Sequence, residues 1–452
     1  MENINIYKYS RLSQSEILNL CKRAESNLSD YFEIVDKIIK NVEENKENAL
    51  IEYSKKLDNV KSGLREFKVS EEEFSRAHDL IDKGMKEALI FCSANVKKFH
   101  EAQMPKKEWM IEMHPGVLAG EKNLPIESVA LYVPRGKGSF PSVAMMTSIP
   151  AVIAGVNTPV IFTPPEEDGS VDCATLVAAE IAGVKNVFKI GGAQAVAAAA
   201  FGTNTVPKCL KIVGPGSPWV AAAKSRLSHV IDTGTPAGPS EAIVFADQSA
   251  NGKLVALDLL IEAEHGSDSS VYLISNSNNV IQKAKDFIPQ CFQNMTQERV
   301  KYATDVLCGR RGGIIQVDNT DQALDFINLY APEHLQIHSK NPDQYLDSIK
   351  NAGEIMLGEF SPMSIANFSL GPNNVIPTNA WAKTKSPLSV HDFIKSTSIG
   401  KIDNKGFAKL SPYAKKFAEH EGFDAHANAV SQMRFCLLYT SDAADEEDSV
   451  DL

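Results

Sequence analysis

The chain has 452 residues, of which 43% are hydrophobic, and its 46 Lys and Arg residues against 57 Asp and Glu residues give a formal net charge of −11. At roughly 100–200 residues per domain this length allows several globular domains, and the composition excludes a disordered chain and a small disulfide scaffold. The acidic balance, the lack of an apolar run of roughly 18–20 residues and the lack of a signal-peptide pattern predict a cytoplasmic protein that binds neither nucleic acid nor membrane.

The N-terminal region is predicted to be helical. Between residues 15 and 103 the apolar residues recur at intervals of three and four, as at Ile34, Ile38 and Ile39, and glycine is almost absent. This spacing gives a helix one apolar face, so we expect helices that pack against a core.

From residue 129 the pattern changes to short apolar runs that alternate with helices rich in small residues. Continuous apolar strands with helices between them are typical of βαβ units around a buried parallel sheet. The predicted strands are 129–133, 160–163, 187–190, 210–213 and 229–231, and the predicted helices are 142–155, 174–183, 194–202 and 219–227.

A second α/β series follows a turn-rich segment around Gly234 and Gly238, which we interpret as a hinge. A helical tail at 408–434 follows this series. The predicted strands of the series are 241–246, 271–275, 313–317 and 335–338, and its predicted helices are 252–264, 280–292 and 320–330.

The last segment, 436–452, differs from the rest of the chain. It reads like a translated sequencing adapter, has no apolar periodicity and ends in acidic residues. We therefore expect it to take no part in the fold.

A standard dinucleotide fingerprint is not expected. Doubly wound sheets bind ligands at the carboxyl ends of their strands, where Gly214-Pro215-Gly216 follows a predicted strand. Trp219, however, stands where the third glycine of G-x-G-x-x-G belongs. A pyrophosphate could still use the helix N-termini after Gly192 or Gly216, because unpaired N–H groups attract anions there.

Glu262 and His265 lie three residues apart at the end of a predicted helix, so their side chains share one face. Zinc accepts carboxylate and imidazole ligands, and the pair can hold one metal ion. A solvated carboxylate beside a histidine favoured by the helix dipole is the alternative.

Glu333 and His334 stand between a helix that Pro332 ends and the next strand. An imidazole titrates near neutrality, as a general base must, and an adjacent carboxylate can orient it or activate water. The alternative is a surface dipeptide without a role. No local spacing connects His426, in the C-terminal tail, with His265.

Taken together, these fragments resemble the histidinol dehydrogenase family over roughly residues 12–434. The blocks that carry the resemblance are, in order, Tyr132-Val133-Pro134, Gly192-Ala193-Gln194-Ala195, Gly214-Pro215-Gly216, Gly238-Pro239-Ser240-Glu241, Ala263-Glu264-His265-Gly266, Ala331-Pro332-Glu333-His334-Leu335, and Glu421-Gly422 with Ala425-His426.

The resemblance implies an α/β fold with two incomplete Rossmann-like parallel-sheet domains and helical N-terminal and C-terminal extensions. It also implies a homodimeric enzyme with one zinc ion per subunit, which oxidises L-histidinol through the aldehyde to L-histidine and reduces two NAD per turnover. Its implied ranges are an N-terminal helical arm at 1–25, a first α/β domain at 26–128 with 241–380, a second, NAD-side domain at 129–240, and a dimer-swapped helical tail at 381–435.

The resemblance also assigns roles to single residues. His334 takes the alcohol proton and Glu333 activates water for the second oxidation. Glu421 and His426 come from the tail of the partner subunit, so dimerisation is required for activity. The implied metal ligands are Glu262, His265, Asn367 and His426; the substrate contacts are Ser240, Glu262, His265, His334, Asn367, Glu421 and His426; and the NAD contacts are Tyr132, Gln194 and Ser217.

Several positions depart from the family pattern. Glu262 stands where the family usually has Gln, and Asn367 stands where it usually has Asp. One carboxylate and two imidazoles remain, so we expect metal binding to persist. Asn374, Met363 and Ser217 replace the usual His, Glu and Asn. Such changes alter the polar lining of a pocket, as a changed substrate would require. The pattern Gly358-Glu359-Phe360-Ser361-Pro362 running into Ala366-Asn367-Phe368 also resembles paralogues that oxidise other small polar alcohols, such as 2,3-dihydroxypropane-1-sulfonate.

Two other classes of function stay open at this point. A metal-dependent hydrolase could use Glu262, His265 and His426, with Glu333 activating water, and would need no NAD. A binding protein on the same fold would need no catalytic residues, but the presence of Glu333 and His334 argues against it.

Overall fold

The computed structural model describes residues 4–24, 28–61, 63–135, 138–434 and residue 437. The chain divides into two compact units, the first made of Met1–Met104 with Pro125–Ile394 and the second of Pro105–Leu124 with Lys395–Leu452. Except for Leu437, the adapter-like segment 436–452 lies outside the described residues.

Strands and helices alternate along much of the described chain. The strands, in chain order, are β1 Ile6–Lys8, β2 Glu108–His114, β3 Val117–Pro125, β4 Ser128–Tyr132, β5 Thr158–Thr163, β6 Val187–Lys189, β7 Lys211–Val213, β8 Glu241–Ala246, β9 Ser270–Ser275, β10 Gly312–Gln316, β11 His334–His338, β12 Glu354–Leu357 and β13 Ile394–Ile402. The helices are α1 Gln14–Leu20, α2 Ser29–Asn45, α3 Glu47–Lys56, α4 Glu71–Leu80, α5 Lys83–Ala102, α6 Pro141–Ala154, α7 Cys173–Ile181, α8 Gly192–Phe201, α9 Pro218–Leu227, α10 Gly252–Ile261, α11 Asn278–Phe292, α12 Gln297–Leu307, α13 Thr320–Tyr330, α14 Met363–Phe368, α15 Asn404–His420 and α16 Asp424–Ala429.

Local sequence sets where many of these helices begin. Ser13 and Ser70 form capping boxes with Glu16 and Glu73 at the starts of α1 and α4, and the Asp172 side chain accepts a hydrogen bond at the start of α7. Each contact satisfies backbone N–H groups that the first turn leaves unpaired. Among the described residues, no helix has the length and apolar character needed to cross a membrane.

The first unit contains a six-stranded sheet with the order β1-β10-β9-β8-β11-β12, in which all paired strands are parallel. Both faces are buried, as expected for a parallel sheet. On β8, Ala242 and Val244 pack with α10, α11 and α12, whereas Ile243 and Phe245 pack with α13. The apolar runs in the sequence therefore reflect strands buried on both faces.

The same unit contains a four-stranded parallel sheet with the order β6-β5-β4-β7. One face packs with α6 and α7 and the other with α8 and α9. With the six-stranded sheet it confirms the predicted α/β fold of two incomplete Rossmann-like sheets. The helices of 29–102 also pack on the four-stranded sheet, because their apolar residues, such as Val35 and Leu89, join its two cores. Both parallel sheets fall in one compact unit, so the expected assignment of 26–128 to the domain of 241–380 stays a prediction.

Several elements differ from those predicted. The N-terminal arm contributes an edge strand, β1, in addition to helix α1, while α12 and β12 were not anticipated. The predicted strand at 229–231 is a turn, and only Asp232 makes a bridge there, to Lys211. The tail begins with strand β13 before its helices. Short elements at sheet edges escape prediction because they carry few apolar residues.

The second unit contains an antiparallel sheet with the order β13-β3-β2 and the helices α15 and α16. The Asp403 side chain caps α15 by accepting a hydrogen bond from the Gly406 N–H at 2.8 Å. Every residue of β2 is exposed, including Trp109 and Ile111.

A connecting segment joins the two parallel sheets of the first unit. After α9 the chain pairs beside β7 at Asp232, runs in parallel with it past Gly234, and then enters β8 at Glu241. The carboxyl edge of the four-stranded sheet is therefore linked directly to the amino edge of the six-stranded sheet. Gly214, just after β7, has a φ of +110°, and a Cβ there would lie 2.2 Å from the carbonyl oxygen of Tyr132.

We predict that Gly214→Ala lowers the free energy of unfolding by about 2 kcal/mol or more, because the residue would combine an unfavourable φ with a clash against backbone. Urea denaturation followed by circular dichroism measures the change. Gly400→Ala is the matched control, since no atom lies within 4 Å of its added Cβ. Equal midpoints for the two variants would contradict the prediction.

Candidate active site

Acidic side chains and imidazoles gather at the amino edge of the six-stranded sheet. Glu241, His334 and Glu354 are the first residues of the neighbouring strands β8, β11 and β12. The predicted NAD contacts lie at carboxyl strand ends of the four-stranded sheet, as in doubly wound sheets, whereas this cluster lies at amino strand ends. The reason is that α10 returns to the amino edge of its sheet, which brings Glu262 to the start of β11.

Glu333 and His334 are placed by the end of α13. Ala331 follows this helix with a φ of +53°, and Pro332 then directs the chain into β11. Glu333 and His334 are 7% and 3% exposed, which rules out a surface dipeptide. The Glu241 N–H donates a hydrogen bond to Glu333 Oε2 at 2.9 Å, so the carboxylate is anchored to the start of β8.

Glu241 is itself held by Arg23, a residue that the sequence did not single out. The Arg23 guanidinium makes an ion pair with the Glu241 carboxylate at 3.1 Å and lies 3.6 Å from the centre of the Tyr330 ring. The Asn379 N–H donates to Glu241 Oε1 at 2.6 Å. Arg23 and Glu241 are both buried. Their ion pair holds Glu241 in place, and the Glu241 N–H in turn holds the Glu333 carboxylate.

Four predicted site residues meet beside Glu333 and His334. Glu262, which follows α10 and is fully buried, accepts a hydrogen bond from Asn367 Nδ2 at 2.9 Å, and its Oε2 lies 2.9 Å from His265 Nδ1. The Ser240 hydroxyl lies 2.7 Å from the same His265 nitrogen. His334 Nε2 lies 3.9 Å from Glu262 Oε1. The structure thus brings Ser240, Glu262, His265, Asn367 and His334 together.

Two of the other positions that depart from the family pattern, Asn374 and Met363, lie near Asn367. Asn374 Nδ2 donates a hydrogen bond to the carbonyl oxygen of Asn367 at 2.7 Å and so fixes the backbone there. Met363 is fully buried and packs in the core beneath α10. Asn374 therefore acts on the site through Asn367, whereas Met363 contributes only apolar packing.

Glu354 is the contact that sequence reasoning missed. The parallel register pairs it with His334, and its Oε2 lies 2.9 Å from His334 Nδ1. The Glu354 side chain is 10% exposed. In the sequence Glu354 is visible only as a glutamate before a short apolar run. The residues around it do not indicate that this run forms a strand paired with β11.

A second buried polar cluster lies about one turn of α10 below Glu262. Asp258 Oδ2 accepts hydrogen bonds from Gln336 Nε2 at 2.6 Å and from His338 Nε2 at 2.8 Å. His334, Gln336 and His338 alternate along β11, so they share the face that is directed at α10. Buried polar contacts thus continue from His334 along β11 toward His338.

The buried charges perturb one another strongly. Burial raises the pKa of Glu333 to about 8. Burial lowers the pKa of His334, but the carboxylates of Glu262, Glu333 and Glu354 outweigh this effect and raise it to about 10. Burial raises the pKa of Glu262, but the His265 and His334 imidazoles hold it well below its usual range. A proton therefore favours His334 over Glu262 in this cluster.

The donors around Glu262 fit a metal ion in part. Glu262 Oε2 is buried and has no hydrogen-bond partner, although an imidazole nitrogen lies 2.9 Å away. A carboxylate and an imidazole are zinc ligands, and an unsatisfied buried oxygen is stabilised by a cation. Across the described ranges, no group of three His, Cys, Asp or Glu residues could hold a metal. Glu262 and His265 thus supply part of a ligand set that needs further donors.

The predicted NAD contacts lie at the carboxyl edge of the four-stranded sheet. The hydroxyl of Tyr132, at the end of β4, accepts a hydrogen bond from the Gly192 N–H at 3.0 Å. Gln194 Oε1 is buried without a partner, and a Cβ on Gly192 would lie 2.7 Å from it. Ser217 precedes α9 and makes no side-chain cap bond. These features fit a dinucleotide. The helix N-termini can bind its phosphates, and the Gln194 amide oxygen is free to accept a hydrogen bond.

Glu421 and His426 lie in the second unit. Glu421 caps the C-terminus of α15, His426 lies in α16, and both side chains are exposed. Their predicted roles in metal and substrate binding therefore remain predictions.

Comparison with known proteins gives consistent matches. The family model described as histidinol dehydrogenase matches residues 21–435. A relative named histidinol dehydrogenase homolog, from Colwellia psychrerythraea, is 53% identical over 95% of this chain and 97% of its own length. The histidinol dehydrogenase of Synechocystis is 42% identical over 94% of this chain and 98% of its own length.

The fold comparison agrees with the sequence comparison. The crystal structure of histidinol dehydrogenase from Elizabethkingia anophelis matches with a TM-score of 0.90 and 35% identity, and the match covers 97% of this chain and 99% of the other.

We predict that Asn367→Asp destabilises the metal-free protein by about 1–3 kcal/mol, because it replaces the amide that donates to Glu262 with a second carboxylate. Thermal denaturation in EDTA measures the loss. Asn45→Asp removes an exposed amide donor and should change the free energy of unfolding by less than about 0.5 kcal/mol. An unchanged melting temperature for Asn367→Asp would argue against the buried contact.

Proposed function

The chain belongs to the histidinol dehydrogenase family of NAD-dependent oxidoreductases, and we propose that it oxidises a small polar primary alcohol through the aldehyde to the carboxylate. The observation that carries this proposal is the buried Glu333-His334 pair beside Glu262 and Asn367. A hydrolase has no observation in its favour that this dehydrogenase does not explain equally well.

The side chains have separate roles in the proposed reaction. His334 Nε2 accepts the proton of the alcohol while hydride leaves the same carbon, and this gives the aldehyde. Glu333, whose carboxylate the Glu241 N–H holds in place, then takes a proton from the water that adds to the aldehyde. The addition leaves the anion of the hydrate. Loss of a second hydride from it gives the carboxylic acid, which releases a proton to become the carboxylate. Each NAD, when bound, accepts one hydride, so the reaction reduces two NAD.

We propose Glu262 and His265 as zinc ligands, with Asn367 and the partner subunit's His426 completing the set. The support is the unpaired Glu262 Oε2 next to an imidazole nitrogen. A cation bound here would polarise the reacting oxygen and neutralise the carboxylate charge that favours the proton on His334.

We propose that Tyr132, Gln194 and Ser217 contact NAD and that Ser240 contacts the substrate. The support for Ser240 is its hydroxyl, which lies 2.7 Å from His265 Nδ1. Residues 129–240 form the NAD-side domain in this proposal.

The proposed active form is a homodimer in the cytoplasm. The dimer-swapped tail, 381–435, would bring Glu421 of the partner subunit to the substrate and His426 of the partner subunit to the metal. We also propose that residues 1–25 form the N-terminal arm and that residues 241–380 belong to the first α/β domain.

The choice of substrate lies between two candidates. L-Histidinol is the substrate that the family name implies, with L-histidine as the product of a biosynthetic reaction. Relatives named histidinol dehydrogenase homolog are 49–53% identical, whereas those named histidinol dehydrogenase are 39–42% identical. This difference favours a paralogue that acts on another small polar alcohol, of which 2,3-dihydroxypropane-1-sulfonate is our candidate.

We expect zinc-loaded protein to form two NADH per molecule of its true alcohol, measured by absorbance with both candidates in parallel. Two NADH per histidinol would establish histidinol oxidation. Turnover of the sulfonate alone would establish the paralogue. No NADH from any small polar alcohol would refute the proposed oxidation.

We expect His334→Ala to lower kcat at least about 100-fold, because it removes the proposed base, while the protein stays folded by circular dichroism and its zinc content stays near that of the parent. Steady-state kinetics and metal analysis measure these quantities. His229→Ala is the control, since this histidine lies in a turn outside the site. Unchanged turnover in His334→Ala would overturn the assigned role.

A further inference from the structure

Glu354 contacts both proposed catalytic residues, yet it takes no part in the steps above. Its N–H donates a hydrogen bond to the carbonyl oxygen of Glu333 at 2.9 Å, and its Oε2 lies 2.9 Å from His334 Nδ1. The parallel register of β11 and β12 places Glu354 directly beside His334. One residue therefore holds the Glu333-His334 pair by main chain and by side chain.

The contact decides which imidazole nitrogen carries the proton. A carboxylate can only accept hydrogen bonds, so the nitrogen that faces Glu354 must be Nδ1–H. Neutral His334 then has its lone pair on Nε2. This nitrogen faces the reacting side of the site, where it lies 3.9 Å from both Glu262 Oε1 and Glu333 Oε1.

The Glu354 carboxylate lies 2.9 Å from His334 Nδ1, within hydrogen-bond distance, whereas the carboxylate oxygens of Glu262 and Glu333 lie 3.9 Å from Nε2. The hydrogen bond to Glu354 therefore favours the Nδ1–H tautomer, and its loss removes that preference. An Nε2–H imidazole cannot accept the proton of an alcohol. We propose that Glu354 is a positioning residue that keeps the His334 proton on Nδ1 and thereby leaves Nε2 free to act as the base.

The proposal rests on the proposed function, because it assumes that His334 is the base. Its test therefore needs one readout that depends on turnover and one that does not. Loss of a partner that orients a functional histidine typically costs 10–100-fold in activity.

We expect Glu354→Ala to lower kcat about 100-fold and Glu354→Gln about tenfold, with KM within about threefold of the parent for the alcohol that the parent oxidises. Glu180→Gln is the matched control, since it makes the same chemical change at a glutamate that contacts His78 away from the site. It should leave kcat unchanged. A parent-like kcat in Glu354→Ala would overturn the proposal. The proposal would also fail if both Glu354 variants lost kcat and their melting temperatures fell by the same amount, because loss of stability would then explain the loss of activity.

The second readout is the ¹⁵N NMR spectrum of imidazole-labelled protein. The chain has 10 histidines, and the signals that His334→Ala removes identify His334. In zinc-loaded protein, where the cation offsets the carboxylate charge around His334, we expect proton coupling at Nδ1 alone in the parent and a share of Nε2–H in Glu354→Ala. If the parent oxidises no alcohol, the proposed function fails, but this shift would still support the positioning role. Identical His334 signals in parent and variant would overturn it.

Discussion

The burial of several carboxylates around one imidazole is the constraint on which the site depends. Glu262, Glu333 and Glu354 surround His334, and each is 10% exposed or less. Moving an ion out of water costs several kcal/mol, and partners of opposite charge or with N–H donors must offset this cost. Asn367, the Glu241 N–H and the His334 ring provide such partners. The network is therefore rigid, and a change at one member alters the protonation of the others.

The two parallel sheets contribute opposite edges to the proposed reaction. The four-stranded sheet presents its carboxyl edge, where Tyr132 and Gln194 offer groups for a dinucleotide. The six-stranded sheet presents its amino edge, where strand starts supply Glu241, His334 and Glu354. The connecting segment between β7 and β8 joins these edges in one unit. The chain leaves the four-stranded sheet at its carboxyl edge and enters the six-stranded sheet at its amino edge. Two similar sheets can therefore supply different groups, one for the cofactor and one for the proposed catalysis.

Most of the fold followed from apolar periodicity, and the main site residues followed from motifs. The strands β4, β5, β8 and β9 are continuous apolar runs, so their prediction needed no tertiary information. The Glu333-His334 pair and the Glu262-His265 spacing were visible in the sequence for the same reason: each is local. Glu354 and Arg23 were not, because their contacts join residues far apart in the chain through sheet register and ion pairing. The sheet against which the helices of 29–102 pack could not be predicted, because an apolar helix face does not specify its partner.

The position of β1 has a consequence for the order of events during synthesis. Ile6 pairs with Ile314, so β1 is synthesised about three hundred residues before the strand with which it pairs. The close approach depends on Gly313, where a Cβ would lie 2.6 Å from the carbonyl oxygen of Asn5. Until the N-terminus docks, β10 is an open strand edge that can pair with another nascent chain. Pairing of β1 covers this edge of the six-stranded sheet and removes a surface on which another chain could add a strand.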